Sequence, residues 1–180
     1  LFVLDDGWFG KRNSDTCSLG DWVENRDKLP SGLAGLGKKI NDLGLAFGLW
    51  FEPEMVSEDS DLYRAHPDWA LAVPGQAPVL GRSQLVLDFS RREVRENIFE
   101  QLCAVLDQAN VEYVKWDFNR SISDVYSAAA ESQGNVLYDY VLGLYEFLER
   151  LTAAPRWSWA TILETSCLSP VALSFTMAVE

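Results

Sequence analysis

The sequence predicts a parallel α/β fold of the (β/α)8-barrel type, and three features carry that expectation. Short apolar runs alternate with amphipathic helical stretches along the chain, the order that builds a parallel sheet with crossover helices. Most of the runs are of the apolar, buried type, as strands covered on both faces are. Each run also ends in an acidic residue, and the carboxyl-terminal edge of such strands is where a barrel holds its chemistry.

The first run, Leu1 to Leu4, ends in Asp5-Asp6-Gly7-Trp8, and a polar, glycine-containing loop follows from Lys11 to Asp27. Pro30 then opens a helix with Leu33, Leu36, Ile40 and Leu43 on one face, closed by Gly44, since glycine takes the left-handed cap conformation without steric cost. Its internal Gly32, Gly35 and Gly37 weaken it. The second run, Ala46 to Phe51, ends in Glu52-Pro53-Glu54, and the third, Leu85 to Leu87, ends in Asp88. Ser90 and Glu93 read as a capping box for a helix striped by Val94, Ile98, Leu102, Val105, Leu106 and Ala109.

The fourth run, Val111 to Trp116, ends in Asp117-Phe118-Asn119. A helix from about Leu137 is expected to turn Val141, Leu144, Tyr145, Leu148 and Leu151 inward. A fifth run, Ala160 to Leu163, ends in Glu164. The expectation is a partial TIM barrel, with about five to six of the eight strands present, forming a single incomplete catalytic domain over 1–180. The missing strands are expected from chain on either side. The competing fold is an open doubly wound sheet, but no glycine-rich phosphate turn follows any run.

Composition narrows the function. The 180 residues are 48% hydrophobic and 23% charged, ordinary for a globular chain. With 15 Lys+Arg against 27 Asp+Glu the net charge is -12, which argues against a nucleic-acid partner. No apolar stretch approaches the roughly 18 residues of a membrane span, and no signal peptide is visible. Cys17, Cys103 and Cys167 stand far apart without a CxxC, so neither a zinc framework nor a disulfide scaffold is expected. A reducing, cytoplasmic setting is favoured. The single His66 removes most metal-hydrolase and Ser-His chemistry. What remains is carboxylates, lysine, tyrosine or a thiol, with no metal and no cofactor expected.

Alternate residues of a strand share a face. Lys115, Asp117 and Asn119 therefore point one way, with Trp116 and Phe118 turned toward the helices. A lysine two residues before an aspartate keeps the aspartate ionised and oriented. Such a carboxylate in a protected pocket is a competent nucleophile toward an anomeric carbon, although a structural ion pair has the same spacing. By the same parity Trp50, Glu52 and Glu54 share a face, and an indole beside acids suits a sugar. Asp5 and Asp6 converge only if the backbone turns at Gly7. Arg82 is a loop cation. The run Ser57 to Asp61 reads as a solvated loop and His66-Pro67 as a turn. Cys103, Tyr138, Tyr140, Tyr145 and Phe147 read as packing residues.

Six segments taken together resemble the α-galactosidases of glycoside hydrolase family 36. They are Leu4 to Gly10 (LDDGWFG), Leu19 to Trp22 (LGDW), Phe47 to Val56 (FGLWFEPEMV), Asp61 to Trp69 (DLYRAHPDW), Gly81 to Asp88 (GRSQLVLD) and Lys115 to Arg120 (KWDFNR). The family-like region is 1–151, and 156–180 departs from the pattern. The resemblance implies a (β/α)8 catalytic barrel that hydrolyses terminal α-D-galactosyl residues of melibiose- and raffinose-type oligosaccharides with retention and without a metal. It further implies Asp117 as nucleophile and Asp5, Asp6, Trp50, Arg82, Lys115 and Asn119 as substrate-binding residues. The adjacent acids would hold the axial and C6 hydroxyls, which selects galactose over glucose. Cys167, in Glu164-Thr165-Ser166-Cys167, matches the family's sugar-contacting cysteine. The general acid is expected outside this chain, and a homo-oligomer is possible in the full-length protein.

Two other readings stand beside this one. In a metal-dependent lyase or racemase barrel, acids such as Asp88 would hold a divalent ion and Lys115 would act as base. In a degenerate chain, galactoside binding would persist without turnover.

Overall fold

The computed structural model describes residues 1–118 and 121–153, and the backbone of 160–165. Four strands form one parallel sheet in the order β1 (Phe2–Leu4), β2 (Phe47–Phe51), β5 (Tyr113–Phe118), β6 (Ala160–Thr165). Phe2 pairs with Phe47, Trp50 with Lys115 and Asp117 with Glu164. Sheet order therefore follows chain order, and among the described residues there is no reversal of the kind that makes a doubly wound crevice.

The third apolar run departs from the expectation. It forms β4 (Gln84–Val86), antiparallel to a short β3 (Met55–Ser57), and this ribbon stands apart from the parallel sheet. Every residue of both strands is buried. A buried three-residue run has no period to tell parallel from antiparallel pairing.

Helices cover the sheet. In α1 (Gly32–Asp42), Leu33 and Ile40 are buried, and Gly44 takes φ +75° just past the helix end as expected. Leu43, expected on the apolar face, lies beyond the helix and is 78% exposed. α2 (Asp61–Ala65) starts inside the stretch read as a loop, because Ser60 Oγ accepts from Tyr63 N at 3.0 Å and the Asp21 carboxylate accepts from Asp61 N and Leu62 N.

α3 (Arg92–Leu106) buries Val94, Ile98, Leu102, Val105 and Leu106, the predicted stripe. Its capping box does not form. Ser90 Oγ instead meets Asp88 Oδ1, and Glu93 pairs with Arg91 at 2.8 Å.

α4 (Val136–Ala153) is rotated from the predicted face. Val136, Tyr140, Gly143, Phe147 and Leu151 are buried, whereas Val141, Leu144, Tyr145 and Leu148 are half-buried. The cause is Gly143, where a Cβ would lie 2.1 Å from the Phe89 carbonyl oxygen. The helix seats on its smallest residue, which a hydropathy stripe passes over. Phe147 then packs edge-on to Trp116 of β5 at 5.6 Å between centroids. Tyr140 and Phe147 are thus packing residues, as read, while Tyr138 is exposed.

The loop after β1 is less solvated than its composition suggests. Trp8, Phe9 and Trp22 are buried against Trp50 and Phe51, with Phe9 and Trp22 centroids 4.5 Å apart. This aromatic floor fixes the start of the loop beneath the carboxyl ends of β1 and β2.

Candidate active site

The carboxyl ends of β1, β2 and β5 bring four of the sequence-predicted residues together. Along β5, Lys115 and Asp117 are half-buried while Val114, Trp116 and Phe118 are buried, which is the two-residue alternation expected. Lys115 Nζ lies 3.2 Å from Asp5 Oδ2, beyond the end of β1. Trp50 Nε1, on β2, donates to Asp117 Oδ2 at 3.1 Å. An N–H held against a carboxylate fixes its rotamer and stabilises its charge more than a neutral contact does.

The indole of Trp50 is not laid open as a stacking platform. It is only 1% exposed. Phe9 lies parallel to it, 9° off at 6.2 Å, and Trp22 packs on it at 6.3 Å. Its role in this arrangement is that of a donor. Trp50→Phe is therefore expected to lower kcat by about ten- to a hundredfold, the worth of one hydrogen bond to a charged group, with KM nearly unchanged. A raised KM with kcat intact would instead mark the indole as a sugar contact, and steady-state kinetics separates the two.

Glu54 does not stay with Trp50. The strand ends at Phe51, and a turn closed by Met55 N on the Glu52 carbonyl at 3.3 Å breaks the two-residue parity. The Glu52 and Glu54 carboxylates are both buried. Glu54 Oε2 accepts from Trp116 Nε1 at 2.7 Å, which puts it on the helix side of the sheet, behind the mouth. There it neighbours Tyr140 and Asp88. Burial first, and then the charges of Glu54 and Asp88, push the Tyr140 hydroxyl well above its ordinary pKa. Asp88 is equally buried, and its Oδ1 is engaged by Ser90 N and Oγ. Lys115 pairs with Asp5 at 3.2 Å, and among the described residues no group of three or more His, Cys, Asp or Glu side chains is placed to hold a metal ion.

The chain does turn at Gly7, with φ +102°, but Asp5 and Asp6 part rather than converge. Asp5 faces Lys115, and Asp6 faces Arg12, whose Nε and Nη2 lie 3.0 and 2.9 Å from its two oxygens. Arg12 was not among the candidates. One arginine in a polar loop has no periodicity to betray it.

Arg82 is exposed at the tip of a two-residue turn. Both Arg82 (φ 52°) and Ser83 (φ 60°) are left-handed, closed by Gly81 and Gln84 exchanging hydrogen bonds of 3.3 and 3.0 Å. Left-handed non-glycine residues in sequence store strain of the kind found at binding loops. Among the described residues no hydrogen bond ties Arg82 to the Asp117 cluster. Asn119 and Cys167 lie outside the described residues.

Comparison with known proteins follows this geometry. The family model Melibiase matches residues 1–170. The bifunctional α-galactosidase/sucrose kinase AgaSK of Mediterraneibacter gnavus is 58% identical over 151 residues, which are 84% of this chain and 16% of that protein. The crystal structure of the glycoside hydrolase family 36 α-galactosidase AgaB from Geobacillus stearothermophilus superposes with a TM-score of 0.86 at 50% identity, covering 91% of this chain and 23% of that one. A variant of the α-galactosidase AgaA from the same organism, solved in complex with raffinose, superposes with a TM-score of 0.84 at 49% identity over 89% of this chain and 23% of that one. The chain thus spans about a fifth of the length of the relatives it matches.

Proposed function

The chain belongs to the melibiase family, and from that premise we propose that it carries the nucleophile-bearing part of a retaining α-galactosidase barrel. In this reading 1–180 is one catalytic domain, and β1, β2, β5 and β6 are four successive strands of eight. The substrate is the terminal α-D-galactosyl residue of an oligosaccharide of the raffinose type. Support comes from the relatives' names and from raffinose bound to one of them.

The observation that carries the proposal is the half-buried Asp117, held by the Trp50 N–H at 3.1 Å on the same face as the Lys115–Asp5 pair. In the first step a carboxylate oxygen of Asp117 attacks the anomeric carbon. The bond to the leaving oxygen breaks, and that oxygen takes a proton from a general acid supplied from outside the described residues. In the second step water attacks the same carbon, gives its proton to the former acid, and frees Asp117. Two inversions leave the anomeric configuration retained. Asp5, Asp6, Lys115 and Arg82 are assigned to the sugar hydroxyls, as are Asn119 and Cys167.

The test is covalent trapping. An activated 2-deoxy-2,2-difluoro α-galactoside has a leaving group that departs without protonation, and its fluorines slow breakdown of the glycosyl-enzyme. A mass increase of one sugar on Asp117, absent in Asp117→Ala, is expected from the full-length protein. A folded protein that gives no adduct, or an adduct on another residue, overturns the assignment.

A further inference from the structure

Arg12 lies in a polar loop yet its side chain is 2% exposed, against 30% for its partner Asp6. Nε and Nη2 make a two-pronged contact with the Asp6 carboxylate at 3.0 and 2.9 Å, and Nη1 donates to the Cys17 carbonyl at 2.9 Å. A guanidinium so engaged has no rotamer freedom left. The main chain that carries it is clamped as well. Lys28 Nζ donates to the Gly7 carbonyl at 2.9 Å and also to the Arg12 carbonyl, closing the turn between Asp6 and Arg12 like a clasp.

Burying an arginine is costly unless its charge is met, and Asp6 meets it. The benefit falls on Asp6. Asp5 and Asp6 are joined by one peptide bond, so two carboxylates repel one another there. Lys115 offsets Asp5 at 3.2 Å and Arg12 offsets Asp6. The guanidinium contacts both Asp6 oxygens, while the Asp6 side chain stays 30% exposed and its carboxylate keeps lone pairs with which to accept from a ligand hydroxyl.

We propose that Arg12 is a positioning residue that locks Asp6 as a hydroxyl acceptor for the galactosyl ring. The inference rests on the assignment of Asp6 to sugar binding made above. Arg12 touches no reacting atom and acts only through Asp6.

The experiment is a double-mutant cycle in the full-length protein. Arg12→Lys keeps the charge and loses the planar fork. It is expected to raise the inhibition constant of free galactose and the KM for p-nitrophenyl α-galactoside about tenfold, with kcat changed by less than about threefold. Arg12→Gln removes the buried charge and serves where the lysine variant does not fold. In an Asp6→Ala background either substitution is expected to shift galactose binding no further, because its only route is through Asp6. An unchanged galactose inhibition constant in a folded Arg12 variant overturns the proposal. So does a shift that persists undiminished without Asp6, since that marks a general structural role. Galactose binding left intact by Asp6→Ala alone overturns the underlying assignment of Asp6 as well, and that outcome is read directly from the single variant.

Discussion

Asp117→Ala in the full-length protein is expected to lower kcat on α-galactosides by about 10⁴-fold or more, because removing a nucleophile removes the covalent route altogether. Folding should survive the change. The side chain is half-buried near a strand end, so the thermal midpoint should move by no more than a few degrees. A small anion can then occupy the space left by the carboxylate. With an activated α-galactoside and added azide, turnover should partly return and give β-galactosyl azide, the product of a single inversion. Return of activity with a retained product would contradict the role assigned to Asp117. So would a loss that azide leaves unchanged together with a collapsed thermal midpoint, which would mark Asp117 as structural.

The largest expected effect on stability lies far from the mouth. A methyl group at Gly143 would sit 2.1 Å from the Phe89 carbonyl oxygen and 2.7 Å from Arg95 Nη1, so α4 would have to withdraw by about an ångström. That movement would pull Phe147 from Trp116 and Phe89, with which its ring lies at 5.6 and 5.4 Å, and Tyr140 from Phe89. It would also disturb the 2.6 Å hydrogen bond from Arg95 to the same carbonyl. Gly143→Ala is expected to cost about 3–5 kcal/mol, at the top of the range for single substitutions. The intrinsic helix preference for alanine, about 1 kcal/mol, works in the opposite direction. Glu149→Ala, on the exposed side of the same helix, should stay within about 0.5 kcal/mol. Urea unfolding of the two variants measures the difference, and near-equal midpoints would mean that α4 does not seat on Gly143.

What the sequence made legible follows from periodicity. β5 is long enough for parity to show, so Lys115 and Asp117 could be separated from Trp116 and Phe118 before any coordinates. The stripe of α3 was legible for the same reason. Parity failed at Glu54 because Pro53 starts a turn, and a turn resets the count by which residues are sided. Glu54 consequently ends up behind the sheet, on Trp116. The rotation of α4 was hidden because a glycine contact carries no hydropathy. Arg12 was hidden because its burial depends on Asp6, Cys17 and Lys28 meeting in space. Sidedness was readable in regular strands, whereas contacts set by loop geometry, such as Asp6 with Arg12, were not.

The chain-order sheet also bears on how the molecule comes to exist during synthesis. Each strand hydrogen-bonds to the parallel strand made before it, Phe47 to Phe2, Tyr113 to Gly48 and Ala160 to Tyr113. The widest gap, about 65 residues, lies between β2 and β5. The β3–β4 ribbon occupies that gap with local antiparallel pairs, and pairing inside a loop shortens the effective chain that must be closed. A growing polypeptide can therefore add one strand at a time to an edge that is already waiting. The ribbon thus gathers the chain between β2 and β5 and shortens the loop that their pairing closes.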